Sequence, residues 1–114
     1  MKNILTIGTL LISGFIFAQE VEPDHEIVGD LVKSTYYHDN GKVSQEGFYK
    51  NEKVHGQWFS YDDKGMKKSQ GTYNNGIKTG KWLFWDRDNT TEVAYSDNRI
   101  AFIKNLEKDV IVKN

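Results

Sequence analysis

"GQWFSYDDKGMKKSQGTYNNGIKTGKW", residues 56–82, opens and closes on the same Gly-x-Trp cluster. Laid on itself with an offset of 24 residues, the chain places Gly41 on Gly65, Gly47 on Gly71, Tyr49 on Tyr73 and Asn51 on Asn75. Gly56 then falls on Gly80 and Trp58 on Trp82, while Tyr37, Tyr61 and Trp85 share one column. Six of the eight glycines beyond residue 18 pair off in this register, so internal repetition is the primary signal of the sequence.

Each unit reads as strand, turn, return strand, turn. "QWFSY" and "KWLFW" are short aromatic runs suited to a pleated surface, and "KVSQEGFYK" and "MKKSQGTYN" are the return strands. Hairpin turns are expected at 39–41, 62–65, 74–76 and 88–90, where Asp, Asn and Gly cluster. No segment beyond the N-terminus carries an apolar 3.6-residue period, which leaves helix out. The expected fold is all-β, a single antiparallel meander of repeated β-hairpins with a period of 24.

Gly47 and Gly71 lie inside strands, where glycine weakens pairing unless something must approach closely. The expected reason is room for the rings of Trp58 and Trp82 over a neighbouring strand. The Gly-x-Trp clusters, Gly56 with Trp58 and Gly80 with Trp82, are read as part of the same packing device. Alternation puts Trp58 on one face with Phe59 and Tyr61 on the other, then Trp82 and Phe84 against Leu83 and Trp85. Aromatics on both faces require either bulged strands or a sheet coiled so that each face is partly covered.

The chain has 114 residues, a net charge of −1 and no cysteine. It opens with a lysine, an uncharged apolar run over 4–17 and a small residue, Ala18: the layout of a secretory signal peptide cut between Ala18 and Gln19. The run is too short for the ~20 residues that span a bilayer as a helix, and without cysteine there is no lipoprotein anchor. The expected localisation is therefore exported, periplasmic or secreted, with no transmembrane span in the mature chain. Without disulfides, an exported domain of this size depends on burial and strand pairing. No basic patch points to nucleic acid. The expected organisation is a signal peptide over 1–18, a flexible acidic leader over 19–30, a repeat domain over 31–105, and a tail or edge strand over 106–114.

The pattern G-x-Y-x-N-x(4)-G-x-W-x-x-[YW] is carried by Gly47, Tyr49, Asn51, Gly56, Trp58 and Tyr61, and again by Gly71, Tyr73, Asn75, Gly80, Trp82 and Trp85. It resembles the variant MORN repeat, including that of small exported bacterial proteins, over residues of about 31–100. The resemblance implies a non-catalytic scaffold or binding module whose partner is a protein or a membrane. Some relatives of the repeat are labelled antitoxins of toxin–antitoxin systems, so an antitoxin-like partner protein is one alternative it implies. The export signal argues instead for an envelope role.

Candidate chemistry is sparse. His25, His38 and His55 fall in the leader, a turn and an inter-unit turn, without the spacing of metal ligands. "DRDNTTEVAYSD", residues 86–97, places Asp86, Asp88, Thr90 and Asp97 like calcium-loop ligands, but Thr91 stands where the loop needs glycine. Asn89-Thr90-Thr91 matches a glycosylation acceptor by accident of composition. No cofactor or metal is expected, and no enzyme, the competing reading being a small envelope glycan-acting enzyme with carboxylates such as Glu46 and Asp86. Trp58 and Trp82 read as core. Phe59, Tyr61, Trp85 and Tyr37 form the candidate surface for a protein or envelope-polymer partner, on the face opposite Trp58.

Overall fold

The computed structural model describes residues 21–107. The signal peptide expected over 1–18 and the last seven residues of the chain lie outside the described residues. Eight strands run in chain order: β1 (Asp24–Val28), β2 (Leu31–Tyr37), β3 (Val43–Lys50), β4 (Lys53–Tyr61), β5 (Lys67–Asn74), β6 (Ile77–Asp86), β7 (Asn89–Ser96) and β8 (Arg99–Glu107). They form one antiparallel sheet in which every strand pairs with its sequence neighbours, the meander expected from the repeat.

The leader expected over 19–30 differs. Asp24–Val28 pairs with β2 as strand β1, and His25 Nδ1 is hydrogen-bonded to Ser34 Oγ at 2.7 Å. Acidic composition and a proline pointed to a solvated segment, but a ladder with β2 satisfies the backbone without any apolar core. At the other end, β8 carries the sheet into the segment read as a tail or edge strand.

Two kinds of turn alternate along the two ends of the strands. At one end the turns use two residues with positive φ: Asn51 and Glu52 (50° and 69°), Asn75 and Gly76 (49° and 88°), Asp97 and Asn98 (54° and 69°). Such turns match the twist of the strands they join. At the other end, Gly41 N donates to His38 O and Gly65 N donates to Asp62 O, closing three-residue connections. The third turn of this series is shorter than its equivalents. Asp86 pairs with Asn89, so the turn is Arg87–Asp88 and not 88–90. The two residues lost from the repeat here leave Arg87 to take the positive φ, 61°.

The repeats bulge where the Gly-x-Trp clusters lie. Glu46 pairs with Phe59 and Phe48 with His55, so Gly47 alone stands opposite Gly56, Gln57 and Trp58. Gln70 pairs with Leu83 and Thr72 with Thr79, so Gly71 likewise faces Gly80, Lys81 and Trp82. The extra residues fold each indole back over the facing glycine. A Cβ on Gly47 would sit 2.1 Å from the Trp58 ring, and one on Gly71 would sit 1.9 Å from Trp82. Gly56 and Gly80 have another job than clearing space. They take φ of +77° and +74° at the bulge, and a Cβ there meets no indole.

Each indole also closes the gap its bulge makes in the ladder: Trp58 Nε1 donates to Phe48 O at 2.9 Å and Trp82 Nε1 to Thr72 O at 3.2 Å. Trp58, Trp82 and Val93 are the buried apolar side chains among the described residues. Between and beside the indoles stand Tyr49, Tyr73 and Tyr95, edge to face in the order Tyr49–Trp58–Tyr73–Trp82–Tyr95, with centroids 5.3, 6.4, 5.0 and 5.9 Å apart. The core is a row of rings on one face of a single sheet.

Trp58→Ala is expected to cost ~3–5 kcal/mol, a large share of the ~5–15 kcal/mol of a small domain. Gly71→Ala is expected to cost ~1–3 kcal/mol by overpacking. In the double variant Gly71→Ala/Trp82→Ala the glycine change is expected to cost much less than it does alone, because the ring it strikes is gone. Urea denaturation of the four chains of that cycle measures the coupling, and simple additivity would show that the glycine serves something other than the indole.

Candidate binding face

The face opposite the ring row carries the four residues singled out in the sequence, and the structure leaves all of them half-buried. They fall into two groups. Lys67 reaches back across the β4–β5 hairpin and joins Phe59 to Trp85, its Nζ lying 5.1 Å from the Phe59 centroid and 5.7 Å from that of Trp85. Cation–π attraction of this kind holds a lysine along a ring surface while its charge stays in water. Nearer the N-terminal edge are Tyr37 and Tyr61. Tyr37 Oη donates to Asp24 Oδ2 at 2.5 Å, and Tyr61 Oη lies 3.4 Å from Glu46 Oε2.

These carboxylates set the ionisation of the phenols. The hydrogen bond to Asp24, helped by burial and the Glu46 charge, pushes Tyr37 above the usual phenol range. Burial, then Glu46, does the same for Tyr61. On the ring-row face, burial and the 2.9 Å bond to Tyr36 push Tyr49 up to about 12. Asp62 moves the other way, held below the usual carboxylate range first by the backbone N–H of Met66 and also by that of Lys64, each 2.9 Å from Oδ1. Its charge is spent on shaping the turn.

Beside Trp85 the sheet end opens into a concavity of about 540 Å³, lined also by Met66, Lys67, Lys68 and Arg87. Its walls combine an indole, an exposed thioether, three cations and the carboxylates of Asp62 and Asp86. Lys67 was not evident from the sequence, although the register supplies it: Tyr61 pairs with Lys67 across the turn, which brings the lysine onto the same face.

The carboxylates proposed for glycan chemistry do not meet. Glu46 is on β3 and Asp86 ends β6, so three strand spacings, about 14 Å, separate their strands. A hydrolytic carboxylate pair works at ~5–9.5 Å. The calcium-loop reading of 86–97 fails as well, because Asp86 and Asn89 are paired in a continuous hairpin. Among the described residues no group of three or more His, Cys, Asp or Glu side chains could hold a metal ion. Each histidine serves the scaffold: His25 meets Ser34, His38 Nε2 donates to Tyr61 O at 3.0 Å, and His55 Nδ1 accepts from Asn75 N at 3.1 Å. No helix among the described residues is long and apolar enough to cross a membrane.

A single sheet of β-hairpins, bulged around a glycine and an indole where β3 meets β4 and where β5 meets β6, defines a repeat module. Residues 32–51 and 54–75 match the family described as the MORN repeat variant, so the chain carries variant MORN repeats over these two stretches. The matched stretches are the hairpins β2–β3 and β4–β5, and β6–β7 continues the series beyond the match with a shorter turn. MORN repeats are generally modules that bind proteins or membranes. A search of curated proteins found no match.

Two outcomes follow from the separation of the faces. Tyr61→Ala and Trp85→Ala are expected to lower stability by less than Trp58→Ala does, since their rings are half-covered, and chemical denaturation of the three ranks them. A reversed order would exchange the roles of the faces. The pH dependence is also fixed in sign. A phenol held above its unfolded pKa contributes stability fully present below pH ~10 and lost as pH rises through the folded value. Resistance to urea is therefore expected to fall between pH ~10 and about 12, and to fall less in Tyr49→Phe.

Proposed function

We propose that the chain is an exported, non-catalytic repeat module that binds a protein or a cell-envelope polymer through the face bearing Tyr37, Phe59, Tyr61 and Trp85. The observation that carries this reading is the division of labour between the faces. The ring row of Tyr49, Trp58, Tyr73 and Trp82 packs the sheet, and the hydrogen bonds of its indoles are used within the fold. Phe59 and Trp85 serve no such bond. They are held half-open under Lys67, and Trp85 lines the concavity. Rings of this kind stack equally well on a sugar or on an apolar peptide side chain, while the mixed charges beside them, Lys67, Lys68 and Arg87 with Asp62 and Asp86, offer polar contacts of both signs.

Export supports the same assignment. The Lys2, apolar run and Ala18 layout is that of a secreted chain. N-terminal sequencing of the protein recovered from the envelope or medium is expected to begin at or within a few residues of Gln19. Full-length chain confined to the cytosol would refute export.

Binding is tested by cross-linking the processed protein in envelope extract and identifying what it captures. Retention is expected to drop about tenfold or more in a folded Trp85→Ala chain, as for an aromatic anchor at an interface. It should stay unchanged in Lys78→Ala, whose side chain covers Trp82 and Tyr95 on the ring-row face. Loss in Lys78→Ala with retention in Trp85→Ala would place the surface on the other side of the sheet.

A further inference from the structure

The sheet has two unpaired edges among the described residues, the outer sides of β1 and β8. Open edges are templates for further strands unless their residues discourage pairing. Here both carry exposed apolar side chains, Ile27 (81% exposed) and Val28 on β1, Ile100, Phe102 and Ile103 (59%) on β8. Their charges are opposite. Asp24 and Glu26 lie on β1, whereas β8 carries Arg99 and Lys104, with Glu107 as its last residue. Like edges therefore repel and unlike edges attract.

We infer that β8 of one copy pairs with β1 of a second copy, extending the sheet head to tail. The repeat supplies the register. Trp58 lies opposite Gly71, and Trp82 opposite Val93, each pair joining an even-numbered strand to the odd-numbered strand that follows it. Ile103 occupies the indole position of β8, facing Val93 as Trp82 faces Gly71. His25 occupies the glycine position of β1, since it pairs with Ser34, the residue that also pairs with Gly47. Continuing the pattern across copies puts Ile103 opposite His25 of the next copy. Lys104 then faces Asp24, on the same face of the sheet, and Phe102 faces Glu26. Ile100 comes alongside Val28. One register thus sets Lys104 against Asp24 and Ile100 against Val28 together. Because the two edges differ, the contact is heterologous and leaves a free β1 and a free β8 at the ends of every assembly.

The test uses sedimentation velocity on the full chain as the producing cell processes it, at increasing concentration. The weight-average mass is expected to rise without stopping at a dimer. Lys104→Glu and Asp24→Lys, both at exposed positions and checked for folding by circular dichroism, are each expected to weaken association about tenfold or more, through replacement of an attraction by a repulsion. Mixing the two variants makes both unlike junctions compatible, the unchanged Lys104 edge with the unchanged Asp24 edge and the Lys104→Glu edge with the Asp24→Lys edge, so the mixture is expected to assemble past a dimer with the two variants alternating. The double variant Lys104→Glu/Asp24→Lys is expected to assemble again. A dimer that survives Asp24→Lys unchanged would mean β8 pairs with β8, and overturns the proposal. A monomer at every concentration also overturns it, the edge then being filled by residues 108–114 of the same chain or by another protein.

Discussion

The interaction on which this sheet depends is an indole lying on bare backbone. A single-layer sheet has no opposing layer to bury its side chains, so each large ring must find its cover within the sheet. Gly47 and Gly71 offer a patch of backbone with no side chain above it, and Trp58 and Trp82 lie down on it. The bulges at Gly56 and Gly80 provide the extra backbone that lets the indoles reach back. The broken ladder is repaired by the indole N–H. Removing any one of the three parts leaves the others unexplained.

The same constraint accounts for how the array ends. Towards the N-terminus the indole position is filled by Ser34, wholly buried and hydrogen-bonded to His25, so a small polar pair closes the row. Towards the C-terminus Val93 occupies the glycine position. Its side chain fills the patch, and the residue facing it on β8 is Ile103 instead of tryptophan. In a repeat protein each unit is stabilised mainly by its neighbours, and terminal units must differ because they have a neighbour on one side only. The hairpins matched to the family are β2–β3 and β4–β5, and Val93 and Ile103 lie beyond them.

Much of this was legible in the sequence because the repeat fixes both turn positions and facing residues. The offset of 24 identified Gly47 and Gly71 as the partners of Trp58 and Trp82, and the assignment of Phe59 and Trp85 to the opposite face follows from alternation. What escaped notice depended on pairing across strands. Gly56 and Gly80 looked like spacers for the indole, and only the register shows them to be bulge residues. The strand at Asp24–Val28 was hidden by its acidic composition, since a ladder needs no apolar signature. Lys67 was hidden for a related reason: a lone lysine in a return strand has no motif, and its rings belong to other strands.

The turns do more than reverse the chain. Asn40 Nδ2 donates to Asp63 O at 2.7 Å and His38 to Tyr61 O, both reaching past β3 to the next hairpin. At the opposite end Gly76 N donates to Val54 O at 2.7 Å and Asn98 N to Lys78 O at 3.1 Å, again skipping a strand. A plain meander pulled across its strands would open like a zip, with each ladder yielding in turn. These cross-links put bonds from two ladders under load at once, at both margins of the ribbon. The sheet is therefore laced along its margins, and a load on one hairpin is shared with the next.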